Sequence, residues 1–226
     1  ERGTRGHSTG RSQIALLQAT KDWLPSPVAV SVVGDCEFGR CSLIEYLCQE
    51  KWDYALRQIG SQMIWWRGNG RWQRVDSLLD KPSCRWLGWG WLTHSNEQLT
   101  HLVAYWRKGE TQAWWLATNQ SSVRAALRLY RRRMWIEAMF ADLKKHGFDL
   151  QSSHLRSFQR LGRLTLAVCL LYIWLVTIAR LLERNGLTDL VDRHDRRDLS
   201  LFRLGWDFIE RCLALSDPIP IISPLF

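Results

Sequence analysis

Residues 28–35 read VAVSVVGD, a nearly continuous β-branched run closed by Gly34 and Asp35. A run with no polar alternation is the pattern of a strand covered on both faces, as in the sheet of an α/β fold. Upstream, residues 13–20 carry a short helical pattern that stops at the turn WLPSP, residues 23–27. Downstream, Gly34 and Gly39 bracket a turn, residues 42–49 restart a helix, and residues 53–59 (DYALRQI) form a second strand. Strand, helix and strand in that order predict an α/β class.

The next region differs. Residues 63–118 hold nine of the 14 Trp of the chain. Gly68-Asn69-Gly70 predicts a hairpin turn between Trp65-Trp66 and Trp72, and Lys108-Gly109-Glu110 predicts another between residues 102–107 and 114–117. Residues 85–93 alternate Trp and Leu with Gly, and the whole reads as a small antiparallel β insertion. Most of its Trp are expected in the core of that unit.

The stretch 130–144, YRRRMWIEAMFADLK, then predicts a long helix, with Ser121 as its expected N-cap. On one continuous helix Tyr130, Arg133, Glu137 and Lys144 fall within roughly 60° of one another. Leu129, Ile136, Phe140 and Leu143 form an adjoining apolar stripe expected to face a core. Arg132 lands on the apolar side, against the pattern. Taken alone, Arg133 and Glu137 are an ordinary i,i+4 pair worth a few tenths of a kcal/mol, about 0.3. Residues 146–157 read as a polar connection. Arg156, Arg160 and Arg163 line one side of the next helix, whose uncharged run 164–179 is short for a membrane span and is expected to be a buried core helix. Asn185-Gly186 ends it, residues 192–198 form a charged loop, residues 201–213 an amphipathic helix, and residues 216–226 a Pro-rich tail.

The net charge of +9 and the pI near 9.6 point to a polyanionic partner, nucleic acid before membrane. With 46% hydrophobic residues in 226, global disorder is excluded. The six Cys (36, 41, 48, 84, 169, 212) make no CxxC and no zinc-finger spacing with His, and are expected as reduced, mostly buried thiols. No signal peptide is visible. The chain opens on Glu1 rather than Met, which reads as a missing or removed start.

Asp35 at the C-terminal end of a strand and Glu137 on a distant helix can converge over a sheet, where α/β folds place their sites. Carboxylates from separate elements are what two-metal phosphoryl transfer on DNA needs, with ions roughly 4 Å apart. A turn residue after a strand is the plainer role for Asp35.

The spacing Tyr130-x2-Arg133-x3-Glu137-x6-Lys144 resembles the YREK signature of DDE transposases from bacterial insertion sequences. Residues 34–40 (GDCEFGR) resemble that family's block around its second catalytic Asp, and residues 115–119 (WLATN) the strand leading into the signature helix. The β insertion, Phe148-Asp149-Leu150 and the later apolar helix also fit, so that the similarity spans roughly residues 10–210. The resemblance implies an RNase H-like core, partial with its first strands missing, interrupted by the antiparallel β insertion and followed by a helical C-terminal part. The implied segments are 1–60 and 120–184 for the core, 61–119 for the insertion and 185–226 for the tail.

It also implies catalytic, metal-binding roles for Asp35 and Glu137 in a two-metal site for Mg2+ or Mn2+, and DNA contacts by Tyr130, Arg133 and Lys144. Arg156, Arg160 and Arg163 extend that basic track or form a solvated face. The family's first catalytic Asp has no counterpart: Asp22 sits in a helix-to-turn segment only 13 positions before Asp35. The expectation is therefore a fragment with two of three carboxylates, inactive alone. Its partners are double-stranded transposon ends and a second copy in a homodimer, with no membrane, in the cytoplasm at the nucleoid. Two other readings stand beside it: a non-catalytic DNA-binding remnant or regulator of transposition, and a Trp-rich module gripping sugars.

Overall fold

The computed structural model describes residues 8–66, 68, 70–93, 98–144, 147–195 and 199–220, with backbone alone for 84–87 and 151. The basic segment 1–7, Asn69 of the first hairpin turn, Lys145 and His146 of the connection, residues 196–198 of the charged loop and 221–226 of the tail lie outside the described residues. The chain divides into two compact units, Glu1–Trp135 and Ile136–Phe226.

The first unit opens with α1 (Gly10–Lys21), started by a capping box in which Thr9 and Ser12 bond each other's backbone N–H. Then follow β1 (Ser31–Gly34), α2 (Cys41–Gln49) and β2 (Asp53–Arg57), the expected strand-helix-strand unit, with β1 and β2 parallel. The five further strands are β3 (Met63–Trp66), β4 (Gln73–Arg74), β5 (Cys84–Leu92), β6 (Gln98–Tyr105) and β7 (Trp114–Thr118). All seven make one open sheet in the order β1-β2-β7-β6-β5-β3-β4, antiparallel except for the first pair. The fold is mixed α/β with a mostly antiparallel sheet. The insertion strands therefore continue the β1–β2 sheet, joined to it by β7 on β2.

Period-two alternation sorts the side chains onto two faces. Tyr54, Leu56, Leu102, Ala104, Trp115 and Ala117 point to one face and pack against Leu43, Ile44 and Leu47 of α2. Ala55, Val103 and Leu116 point to the other and pack under Ala126, Leu127, Leu129 and Tyr130 of α3 (Val123–Arg131). β1 differs from its sequence reading. It is shorter and lies at the edge of the sheet, with Ser31 exposed, Val32 and Val33 half-buried and Val28 exposed. Among the described residues it has a neighbouring strand on one side only, and its two faces are each covered in part, Val32 packing against the core on the α2 side and Val33 against the core under α3. The Trp expectation also needs correction. Trp66 and Trp115 are core residues, but Trp65, Trp91, Trp106 and Trp114 are half-buried and Trp89 is exposed.

The helix expected over 130–144 is interrupted at Arg132, between α3 and α4 (Arg133–Leu143). The Arg132 N–H bonds Leu129 O at 3.1 Å, a tightened i→i−3 turn. This interruption leaves Arg132 exposed, which removes its conflict with the apolar stripe. The stripe itself holds in part: Leu129 and Leu143 are buried, while Ile136 and Phe140 are exposed.

In the second unit α5 (Phe158–Arg184) packs on α6 (Leu201–Leu215) through Ile178, Ala179, Leu182 and Leu204. Gly205 permits the crossing, since a Cβ there would stand 2.1 Å from Leu175 O. Phe202 stacks on Tyr172 at 5.3 Å and meets Phe148 edge-on at 5.4 Å. The expectation of a buried core helix is not met over most of α5. Only 22% of its most apolar 18-residue window is buried, and the helix is long and apolar enough to cross a membrane by length and composition. Its C-terminal half carries the packing, whereas Phe158, Leu166, Leu170 and Ile173 are exposed. The thiols also differ from expectation. The described Cys are free, but only Cys212 is buried and Cys48 is exposed.

Candidate active site at the ends of the parallel strand pair

Asp35 follows β1 directly and caps a single 3-10 turn, Cys36–Phe38, its Oδ1 accepting the Glu37 N–H at 3.0 Å. It is thus the turn residue of the plainer reading, and it is exposed. The flanking glycines are dictated by crowding. A Cβ on Gly34 would stand 2.6 Å from Phe38 Cβ, and one on Gly39 would stand 2.5 Å from Arg57 O and 2.9 Å from Gln58 Nε2. The pattern G-D-x-x-F-G is therefore the signature of a turn folded back onto the end of β2, which holds Asp35 at a set height above the sheet.

Arg57 ends β2 beside it. Its guanidinium donates to Gln112 Oε1 at 3.1 Å and to Ala113 O at 3.2 Å. Burial pushes the Cys36 thiol up, and the Arg57 and Arg133 guanidiniums pull against that shift while Asp35 reinforces it. Cys36 Sγ points at Gln58 O, 3.6 Å away. Tyr130 comes in from α3. Burial raises its phenol, opposed by the charges of Arg133 and Arg57. Asp35, Cys36, Arg57, Tyr130 and Arg133 are thereby gathered in one neighbourhood at the C-terminal ends of β1 and β2. An open cleft of about 440 Å3 starts at Cys36, Arg57 and Gln58 and runs to Asp76, Trp106 and Trp115. Sequence reasoning missed Arg57. The signal was available as a cation at the end of an apolar strand next to the one that carries Asp35.

Tyr130 does not stand on an exposed polar ridge. It is 2% exposed, packed edge-on against Trp114 at 5.1 Å and under the Arg133 guanidinium, 5.7 Å from the ring centre. Its hydroxyl is buried on the Arg133 side of the ring. The reason is its place on α3, whose steep amphipathicity turns Ala126, Leu129 and Tyr130 into the sheet together. Asn119 of the WLATN segment ties the same region down. It accepts the Tyr54 N–H and donates to Trp52 O, both at 3.0 Å, which fixes the end of β7 to the start of β2.

Glu137 and Lys144 belong to the second unit and are exposed there, Glu137 in α4 and Lys144 just beyond it. The carbonyl of Lys144 accepts the N–H of Asp149 at 2.8 Å. Asp142, which sequence reasoning did not single out, is buried, and its Oδ2 accepts from Tyr172 Oη at 3.4 Å. Burial first, then the Asp142 charge and this hydrogen bond, push the Tyr172 phenol up to about 12.

The sequence model of the family described as transposase DDE domain matches residues 7–174. The chain belongs to this family. A search among curated proteins returned no match. The strand-end Asp, the glycine-bracketed turn and the cationic neighbourhood around it thus lie within the matched transposase domain. Transposases of this family generally use a divalent metal. Among the described residues no group of three or more His, Cys, Asp or Glu gathers.

Proposed function

We propose that this transposase-family chain is of the YREK type found in bacterial insertion sequences, with an RNase H-like core, and that it grips transposon-end DNA. The observation that carries the reading is the gathering of Asp35, Arg57 and Arg133 at the C-terminal ends of the parallel strands, inside a matched transposase domain. Asp35 and Glu137 are two of the three catalytic carboxylates and serve as ligands for Mg2+ or Mn2+. Arg133 and Lys144 hold phosphates of the double-stranded end. Tyr130 acts from below, as the aromatic floor that orients Arg133 through a cation–π contact. The acting form is a homodimer in the cytoplasm, associated with the nucleoid.

On this reading the chain by itself binds ends without cutting them, because only Asp35 and Glu137 answer the family's three carboxylates. That outcome also serves the second reading, a non-catalytic DNA-binding regulator of transposition. The test is duplex binding by fluorescence anisotropy across a salt series. Arg133→Ala with Lys144→Ala should weaken binding and lower the slope of log K against log salt by about 2, near 0.9 for each lost phosphate. Unchanged affinity and slope would overturn the DNA reading. Mg2+-dependent nicking by the purified chain, abolished in Glu137→Ala, would overturn the inactivity.

A further inference from the structure

The helix α5 is apolar on two opposite faces, and only one of them is packed. Its buried residues are Val168, Leu175, Ile178, Ala179 and Leu182, of which the last three pack with Leu204 of α6. At about 100° per residue, Phe158, Leu166, Leu170 and Ile173 fall on the other face within roughly 120° of arc. All four are exposed, from 47% at Ile173 to 89% at Phe158. They make a continuous apolar stripe about 22 Å long. Scattered surface leucines need no explanation, but a contiguous stripe marks a surface that meets a partner.

The border of this stripe is cationic. Arg160 and Arg163 stand along one side of it, and Arg156 comes just before the helix. All three are exposed, and none is ion-paired among the described residues. No acidic residue occurs between Asp149 and Glu183. The stripe and its border exclude different occupants. A nucleic acid would answer the guanidiniums but set phosphate and water against the stripe. A second copy of the same face would cover the stripe but offer the guanidiniums no counter-charge. The surface of an anionic bilayer meets both, with acyl chains against the stripe and lipid phosphates on the arginines.

We infer that α5 seats the second unit on an anionic lipid surface, with Phe158, Leu166, Leu170 and Ile173 dipped into the interface and Arg156, Arg160 and Arg163 at the level of the lipid phosphates. The helix lies in the plane of the surface and does not cross it, because α6 holds its opposite face. This sets aside the expectation of a chain without membrane contact. It does not depend on the DNA reading, since the stripe is apolar and a phosphate backbone gains nothing from it.

The test is flotation of the purified chain with vesicles of phosphatidylcholine alone, and of phosphatidylcholine with about 30% phosphatidylglycerol. It compares wild type, an Arg156→Gln/Arg160→Gln/Arg163→Gln variant, a Leu166→Gln/Leu170→Gln variant, and a Lys81→Gln/Arg107→Gln/Lys108→Gln control that removes the same charge from the first unit. All substituted residues are exposed, and circular dichroism checks their folding. Wild type should bind the anionic vesicles at least tenfold tighter than the neutral ones, and the arginine variant should lose that preference. The control should stay within about twofold of wild type. The leucine variant should lose at least tenfold on anionic vesicles and keep its duplex DNA affinity within about twofold. Wild type that leaves anionic vesicles unbound overturns the inference, and duplex binding in the same sample leaves the DNA reading standing. A control that loses as much as the arginine variant also overturns it, since net charge alone would then explain the binding. A leucine variant that floats like wild type but dissociates a wild-type dimer gives the face to a second copy. An equal loss on duplex and vesicles gives it to nucleic acid, and either outcome overturns the lipid surface.

Discussion

Gly39→Ala isolates the claim that crowding, and not backbone freedom, dictates the glycines around Asp35. The φ of Gly39 is −76°, open to any residue, so no backbone strain enters. The added methyl would stand 2.5 Å from Arg57 O and 2.9 Å from Gln58 Nε2. An ordinary contact is about 3.4 Å or more, so the turn must lift by nearly 1 Å from the end of β2, a cost of about 1–3 kcal/mol by analogy with overpacked cores. Twelve of the 14 Trp lie in the unit Glu1–Trp135, so Trp fluorescence in urea reports mainly its unfolding. The midpoint should fall with the slope unchanged. Gly162→Ala is the control: nothing lies within 4 Å of its added Cβ, and it sits in α5. There alanine should stabilise the helix by about 0.5–1 kcal/mol, read by far-UV circular dichroism. A Gly39→Ala midpoint within about 0.5 kcal/mol of wild type would refute the reasoning, because the turn would then have room that the geometry denies it.

Gly205→Ala should be worse for the second unit, because its Cβ would meet the Leu175 backbone at 2.1 Å where neither helix can give locally; a loss of helical ellipticity on mild heating checks it. Leu56→Ala removes a fully buried side chain from β2 and should cost about 2–5 kcal/mol by urea titration. The Tyr172 phenol has a folded pKa raised to about 12 against 10.0 for the free group. Its contribution is therefore complete below pH 10 and is lost as pH rises toward 12, since the unfolded state releases the proton first. In Tyr172→Phe a phenolate titrating near 12 should vanish from the ultraviolet titration, and the fall in stability over that range should become shallower.

The interrupted helix shows how local and tertiary information divide. Periodicity alone placed Tyr130 near the edge of an apolar stripe, but it could not say how deeply the ring sinks. That depth follows from Trp114, a residue on β7 that reaches Tyr130 only because β7 pairs with β2. Arg57 went unremarked for the same reason: a cation at a strand end gains meaning only when its neighbours are known. The apolar run of α5 reads in sequence as a buried core helix, yet its packing against α6 covers little of it.

The sequence by itself determined the strand-helix-strand opening, the hairpins with β6 on β7, the turn that carries Asp35, and the family spacing of Tyr130, Arg133, Glu137 and Lys144. Each is a local matter, fixed by hydrophobic period, turn chemistry or the residues of one short segment. The tertiary structure decided that the insertion strands extend the β1–β2 sheet, that β1 lies at an edge, and that Trp89 is exposed while Trp66 is buried. Those outcomes depend on which strand pairs with which across long stretches of chain and on which faces a helix covers. No local pattern carries that information, because the free energy that selects it comes from surface buried between segments distant in sequence.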